Sequence, residues 1–173
     1  LKKLPNLPAH ISLAMTAAER LVHPDLQEHV GSFLIGSTAP DIRVITRQDR
    51  EQYHFTGLEF ENIGAGVEGM FAAHPNLRDL DVCHGATRAF VAGYITHLMV
   101  DEAYIVSVYR TFFADRDSIP DKMRANMLDR ALQLDIDRHV WDRVGEVLAS
   151  VNFDPEEIHV GFLDAETLSR WRD

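Results

Sequence analysis

A histidine and an aspartate four residues apart, His97 and Asp101, stand inside the most apolar stretch of the chain. On a helix, positions i and i+4 share a face and their side chains meet. Imidazole and carboxylate are both ligands for a divalent cation such as zinc, so the pair is a candidate metal-binding element. A carboxylate buried in an apolar helix is costly without a compensating charge. No Lys or Arg occurs between Arg88 and Arg110, so a bound cation is the expected source of that charge. Gly93, one turn before His97, is expected to leave room for the ion. The competing reading is a buried His–Asp hydrogen bond that only orients the helix.

Three residues elsewhere could complete such a site. Asp41 follows Pro40 in a loop rich in Gly, Ser and Thr, His54 stands beside Phe55, and His10 opens an Ala-rich segment. Taken singly, each has an ordinary role: a turn or cap residue, a packing histidine, a helix-terminal residue. Taken together they give the pattern H10–x30–D41–x12–H54–x42–H97–x3–D101.

That pattern resembles the zinc-dependent phospholipase C family, related in fold to the P1-type nucleases. The matching pieces are Pro8-Ala9-His10-Ile11, Pro40-Asp41-Ile42-Arg43, His54-Phe55, and Ala89-Phe90-Val91-Ala92-Gly93-Tyr94-Ile95-Thr96-His97-Leu98 with Asp101. The resemblance covers roughly residues 8–113. It implies an all-α fold with Asp41, His54, His97 and Asp101 on one zinc ion, and His10 on a second ion bridged by Asp101. It also implies hydrolysis of a phosphoester or phospholipid by a metal-bound hydroxide, with Asp41 orienting that nucleophile. The residues that complete a three-ion site in the family's secreted enzymes have no counterpart here. No tryptophan precedes His10, and no histidine lies between Asp101 and His139. One or two ions are therefore expected, zinc or another divalent metal. The rival reading is a non-catalytic helical module in which the metal is a structural tie, serving partner or lipid binding. A phosphohydrolase of the His-Asp type lacks support, because the chain contains no adjacent His-Asp dipeptide.

The elements that must position these residues read as helices. Ile11, Leu13, Ala14, Ala17, Ala18 and Leu21 follow the helical period over His10–Val22, and His23-Pro24 stops that helix. A second helix is expected from Asp25 to about Ile35, then a loop over Gly36–Asp41, then a polar, poorly periodic stretch over residues 42–60. Glu61–Ala73 is expected to be helical despite Gly64, Gly66 and Gly69. Gly85 to about Phe113 is expected to be one long helix, apolar on most faces, in the middle of a bundle. Asp121–Ser150 is expected to bury Leu128, Leu132, Ile136, Val140, Val144 and Leu148. Asp154-Pro155-Glu156-Glu157 has the composition of a helix start, and a last helix begins near Asp164. No strand pattern and no linker appears, so a single all-α bundle over residues 1–173 is expected.

Composition narrows the function class. The chain has 173 residues and a formal net charge of −10. That balance disfavours nucleic acid, whose binding depends on Lys and Arg at phosphates, and electrostatic docking to anionic membrane. One cysteine, Cys83, excludes an intramolecular disulfide and a Cys-rich zinc site. The nearly uncharged stretch Phe90–Val100 is too short to span a bilayer. No apolar signal segment follows Lys2-Lys3, so a cytoplasmic location is expected. Asp135 and His139, with Asp142 and Glu146, are expected to form a solvated helix face, substitute metal ligands being the alternative. Arg43, Arg47 and Arg50 are expected to pair with surface carboxylates such as Asp49 and Glu51, a substrate phosphate being the alternative. His23, His29, His74, His84 and His159 have no partner spacing.

Overall fold

Short helices broken by proline and glycine lead into two long ones. The computed structural model describes residues 6–79, 83, 85–115, 117–148 and 151–173. In chain order the helices are α1 (Leu7–Leu21), α2 (Pro24–Glu28), α3 (Val30–Gly36), α4 (Arg43–Thr46), α5 (Arg50–His54), α6 (Ala65–Ala73), α7 (Gly85–Tyr104), α8 (Lys122–Leu148) and α9 (Ala165–Arg172). Single 3-10 turns cover Ala39–Ile42, Pro75–Arg78 and Pro155–Glu157, and α7 continues as a π-helix over Ile105–Phe113. No strand occurs among the described residues, and the all-α architecture with a long central helix is as expected. Leu1–Pro5, His84 and Ser150 lie outside the described residues.

α7 is the axis of the bundle. It packs most extensively on α3 and also meets α1, α2 and α6, while α1 lies against α8. By length and composition Gly85–Phe113 could cross a membrane, but 61% of its apolar window is buried inside the fold, as in a core helix. Phe90, Tyr94 and Leu98 face a core shared with Ile42, Met70 and Leu168, and Ala89 faces a second core with Ile11, Phe33 and Val144.

The α3–α7 crossing is a backbone contact. A Cβ on Gly93 would stand 1.9 Å from the Phe33 carbonyl oxygen, and one on Gly36 would stand 2.1 Å from that of Phe90. Gly93 therefore makes room for α3 rather than for an ion, which corrects its expected role. The chain reaches this crossing by breaking the expected Asp25–Ile35 helix in two. His29, at φ −116° and ψ 41°, leaves the helical region between α2 and α3.

Three other expectations need correction. α6 starts at Ala65 rather than Glu61, because Gly64 before it has φ +106°. Asp154 caps the Glu156 N–H, but only one 3-10 turn follows. On α8 the inward stripe is Ala125, Asp129, Gln133, Asp137 and Val144, while Leu128, Leu132 and Leu148 are exposed. Polar partners explain the rotated face. The Tyr104 hydroxyl donates to Asp129 at 2.6 Å, Gln133 donates to Asp129 at 3.0 Å, and Asn6 bridges Arg130 and Asp137. Buried polar groups with partners are tolerated, and apolar periodicity does not register them.

The glycine contacts give a direct test by thermal melts. Gly93→Ala should destabilise by at least the roughly 1–3 kcal/mol of an overpacked core. Gly145→Ala on α8, whose Cβ would meet nothing within 4 Å, should instead stabilise by up to about 1 kcal/mol through helix propensity. Equal effects at the two positions would contradict the backbone crossing.

Candidate metal centre

The crossing at Gly36 and Gly93 delivers the first structural constraint on the site. It brings the Ser37 carbonyl to 2.8 Å from His97 Nδ1. A carbonyl oxygen can only accept, so Nδ1 carries the hydrogen. In the neutral ring, Nε2 is left with a lone pair facing Asp101 at 3.5 Å. This is the partner arrangement that fixes the tautomer and orientation of a metal-binding histidine.

Four elements converge there. His10, on the first turns of α1, stacks on the His97 ring at 3.8 Å with planes 10° apart. Its Nε2 lies 3.2 Å from Asp101 Oδ1. His54, the last residue of α5, sets its Nε2 3.1 Å from Asp101 Oδ2 and meets His97 edge-on at 5.3 Å. Asp41 is buried in the 3-10 turn Ala39–Ile42. Ligand atoms of His10, His97 and Asp101 lie within 4.8 Å of one another, as do those of Asp41, His54 and His97. All five residues singled out in the sequence thus reach one place, with His97 common to both groups and Asp101 between His10 and His54. The five are at most 2% exposed.

The segment carrying His54 is held from two sides. The Tyr94 hydroxyl on α7 donates to the Tyr53 carbonyl. Phe55 takes a left-handed backbone, φ +56°, which ends α5 immediately after His54. Such a conformation costs on the order of 1–3 kcal/mol for a residue with a side chain and persists where packing enforces it. Here the Phe55 ring contacts Phe162, His74 and Tyr94. From the other side, Gly66 and Gly69 let α6 lie on the His54 and Phe55 carbonyls, at 2.6 and 2.4 Å from where their Cβ atoms would be. The buried Glu102 carboxylate accepts from the Gly64 and Gly66 N–H groups, the latter at 2.7 Å, and so ties the start of α6 to α7. Glycines that weaken α6 as a helix therefore serve as its contact surface.

Arg50 corrects the expected electrostatics. The charge opposite Asp101 is supplied within the chain, by the Arg50 guanidinium at 3.1 Å from Oδ2, rather than by a bound ion alone. α5 folds across the end of α7, so its first residue reaches a carboxylate 51 positions away. Arg50 was expected to pair with a neighbouring surface carboxylate or a phosphate; its partner is the buried one. Asp135 and His139 are exposed and face each other on α8 at 3.8 Å, a solvated pair as expected.

The fit to a cation rests on unpartnered atoms. Among the described residues, both ring nitrogens of His10 and of His54, Nε2 of His97 and Oδ1 of Asp101 are buried without a hydrogen-bond partner. The rings approach the carboxylate at 3.1–3.5 Å, but without hydrogen-bond alignment. Leaving such groups unpaired costs about 1–3 kcal/mol each, and a shared divalent ion would satisfy several at once. Burial and the adjacent His97 push the His10 pKa down, so it favours the neutral, ligating form. Burial and the Arg50 charge bring His54 down to about 4. Burial opposes charge on His97 as well, but the Asp101 carboxylate beside it raises its pKa. Burial likewise opposes ionisation of Asp101, yet the three histidines hold its carboxyl well below the usual range.

No family model, curated protein or solved structure matches this chain. The site stands on its geometry.

The lowered histidines set the acid limit of the metal-free protein. His54 has a folded pKa below its unfolded value, so the unfolded chain binds more protons between the two. Stability is then present above pH 6.5 and is lost as pH falls toward about 4. His10 acts in the same direction, and His97, with its raised value, in the opposite one. In chelator, lowering the pH from 7 to 5 should cost about 2 kcal/mol through His54. Denaturant melts of wild type and His54→Asn check it. An unchanged pH dependence in the variant would refute the assignment to His54.

Proposed function

We propose that the protein is a metal-dependent phosphoester hydrolase, phospholipase C-like in its ligand set. One observation carries the reading: His10, Asp41, His54, His97 and Asp101, far apart in sequence, bring their ligand atoms together in two overlapping groups. A bound divalent cation, zinc by the resemblance, polarises a phosphoryl oxygen and makes water a nucleophile near neutral pH. The chain's own residues would then set the geometry. His97, anchored by Ser37, would present a fixed donor to both groups, and Asp101 would complete the one with His10. Asp41, buried beside His54 and His97, would orient a nucleophilic water and accept its proton. The stacked rings of His10 and His97 make double protonation unfavourable, which keeps His10 a neutral ligand.

A second reading is favoured by the depth of the site. With all five residues at most 2% exposed, an ion there could serve as a structural tie alone.

Hydrolysis of bis(p-nitrophenyl) phosphate by the zinc-supplemented protein separates the two. The hydrolase reading expects turnover that chelator abolishes and that Asp41→Asn lowers on the order of a hundredfold, the scale of general acid–base contributions. A melting temperature that falls in chelator, with no turnover of this diester or of phosphatidylcholine vesicles, would establish the structural tie instead.

A further inference from the structure

We infer that Arg50 is a resident cation of the site, which gives up Asp101 to a bound metal and then receives the phosphate of the substrate. The inference rests on the metal reading above and extends it to a residue outside the ligand set.

Three observations lead to it. The first is competition for one oxygen. Arg50 Nη2 lies 3.1 Å from Asp101 Oδ2, the same oxygen that His54 Nε2 approaches at 3.1 Å and His97 Nε2 at 3.5 Å. Zinc bonds to such donors at about 2.0–2.2 Å. An ion on Oδ2 and these histidines would therefore stand within a few ångströms of the guanidinium, and like charges at that range repel in a desolvated site. Arg50 and a cation on this oxygen exclude each other.

The second observation is that Arg50 is lightly held. Among the described residues its Nε and Nη1 are buried with no hydrogen-bond partner, and its side chain is held by the bond from Nη2 to Asp101. A guanidinium with a second carboxylate across its fork would be locked; this one keeps most of its donors unused. Releasing it from Asp101 removes one contact and relieves two unsatisfied groups.

The third is direction. Arg50 is 12% exposed, whereas His54 and Asp101 beside it are at 0% and 1%. It opens α5, next to the exposed residues Asp49 and Glu51. Of the groups around Asp101 it is the one with a path to solvent, so leaving the carboxylate carries its charge to the entrance of the site. A guanidinium there presents paired N–H donors to a phosphate in the geometry it binds best. The same movement uncovers ligands that are otherwise sealed. Metal loading would thus convert a closed, internally neutralised site into an open one with an anion-binding group at its mouth.

The test uses two titrations on the full chain. Zinc affinity is measured by competition with a chromophoric chelator for wild type, Arg50→Gln and Arg50→Lys. Inorganic phosphate is then titrated calorimetrically into each zinc-loaded protein. The inference expects Arg50→Gln to bind zinc about tenfold more tightly, because a competing charge is gone, with Arg50→Lys near wild type. It expects phosphate to bind the zinc-loaded wild type and not the chelated one, and to bind zinc-loaded Arg50→Gln about tenfold more weakly. Equal or weaker zinc binding by Arg50→Gln, with wild type binding zinc normally, overturns the competition while leaving the metal site standing. Phosphate binding that ignores Arg50 overturns its second role. Absence of zinc binding by all three proteins overturns the metal reading itself, and the inference with it. Should Arg50→Gln fail to fold, the wild type decides. Its Arg50 side-chain Nε–H resonance, assigned by its loss in Arg50→Lys, must shift on zinc addition, and an unmoved resonance overturns the release.

Discussion

One buried negative charge organises this molecule. Asp101 stands near the end of α7, 1% exposed, and a carboxylate there is stable only if the rest of the chain brings compensation to it. Four side chains on three helices do so: His10 comes from α1, Arg50 and His54 from the two ends of α5, and His97 from the turn before on α7. Removing one partner of such a cluster is costlier than never having built it, because the remaining charges stay buried. The arrangement is thus better understood as a site that the fold maintains than as a contribution to stability.

Small residues set the precision of that site. Gly36 and Gly93 let two helices touch backbone to backbone, which places the Ser37 carbonyl on His97. Gly66 and Gly69 do the same for α6 against the His54–Phe55 turn, with Glu102 fastening the helix start. None of these groups would touch an ion. Each fixes a direction that a coordinating side chain must take, and a methyl group at any of them would push a ligand-bearing element outward.

The clustered residues were legible in the sequence because their types are unusual for their surroundings. A His and an Asp at helical spacing in an apolar run demand an explanation, and the spacing of His10, Asp41 and His54 supplied the rest by resemblance. What remained hidden was what other elements contribute. Arg50 reads as one of several basic residues in a polar stretch, and only the path of α5 across α7 makes it the partner of Asp101. Gly93 was legible as a space but not as the space for Phe33. Helices α4 and α5 are only four and five residues long, too short to show a period. The inward face of α8 was misread by about one residue, since Asp129, Gln133 and Asp137 find partners on Tyr104, Arg130 and Asn6 that no local pattern announces. Glu102 carried a weak signal, a second acidic residue adjoining Asp101 in the same apolar helix.

The way the ligands are distributed along the chain also dictates an order of events during folding. α7 formed alone already places His97 and Asp101 on one face, a closure of four residues. Every other ligand must be brought in across a loop of tens of residues, and each such closure carries an entropic cost that grows with loop length. A nascent chain can therefore offer an ion two donors at most until α1, the Ala39–Ile42 turn and α5 have docked. Tight capture of an ion by the full set would then be a late event, one that reports completion of the tertiary structure rather than seeding it. A chain whose first helix has not yet docked would lack His10 and the ring stack, and with them one of the two groups that could hold an ion.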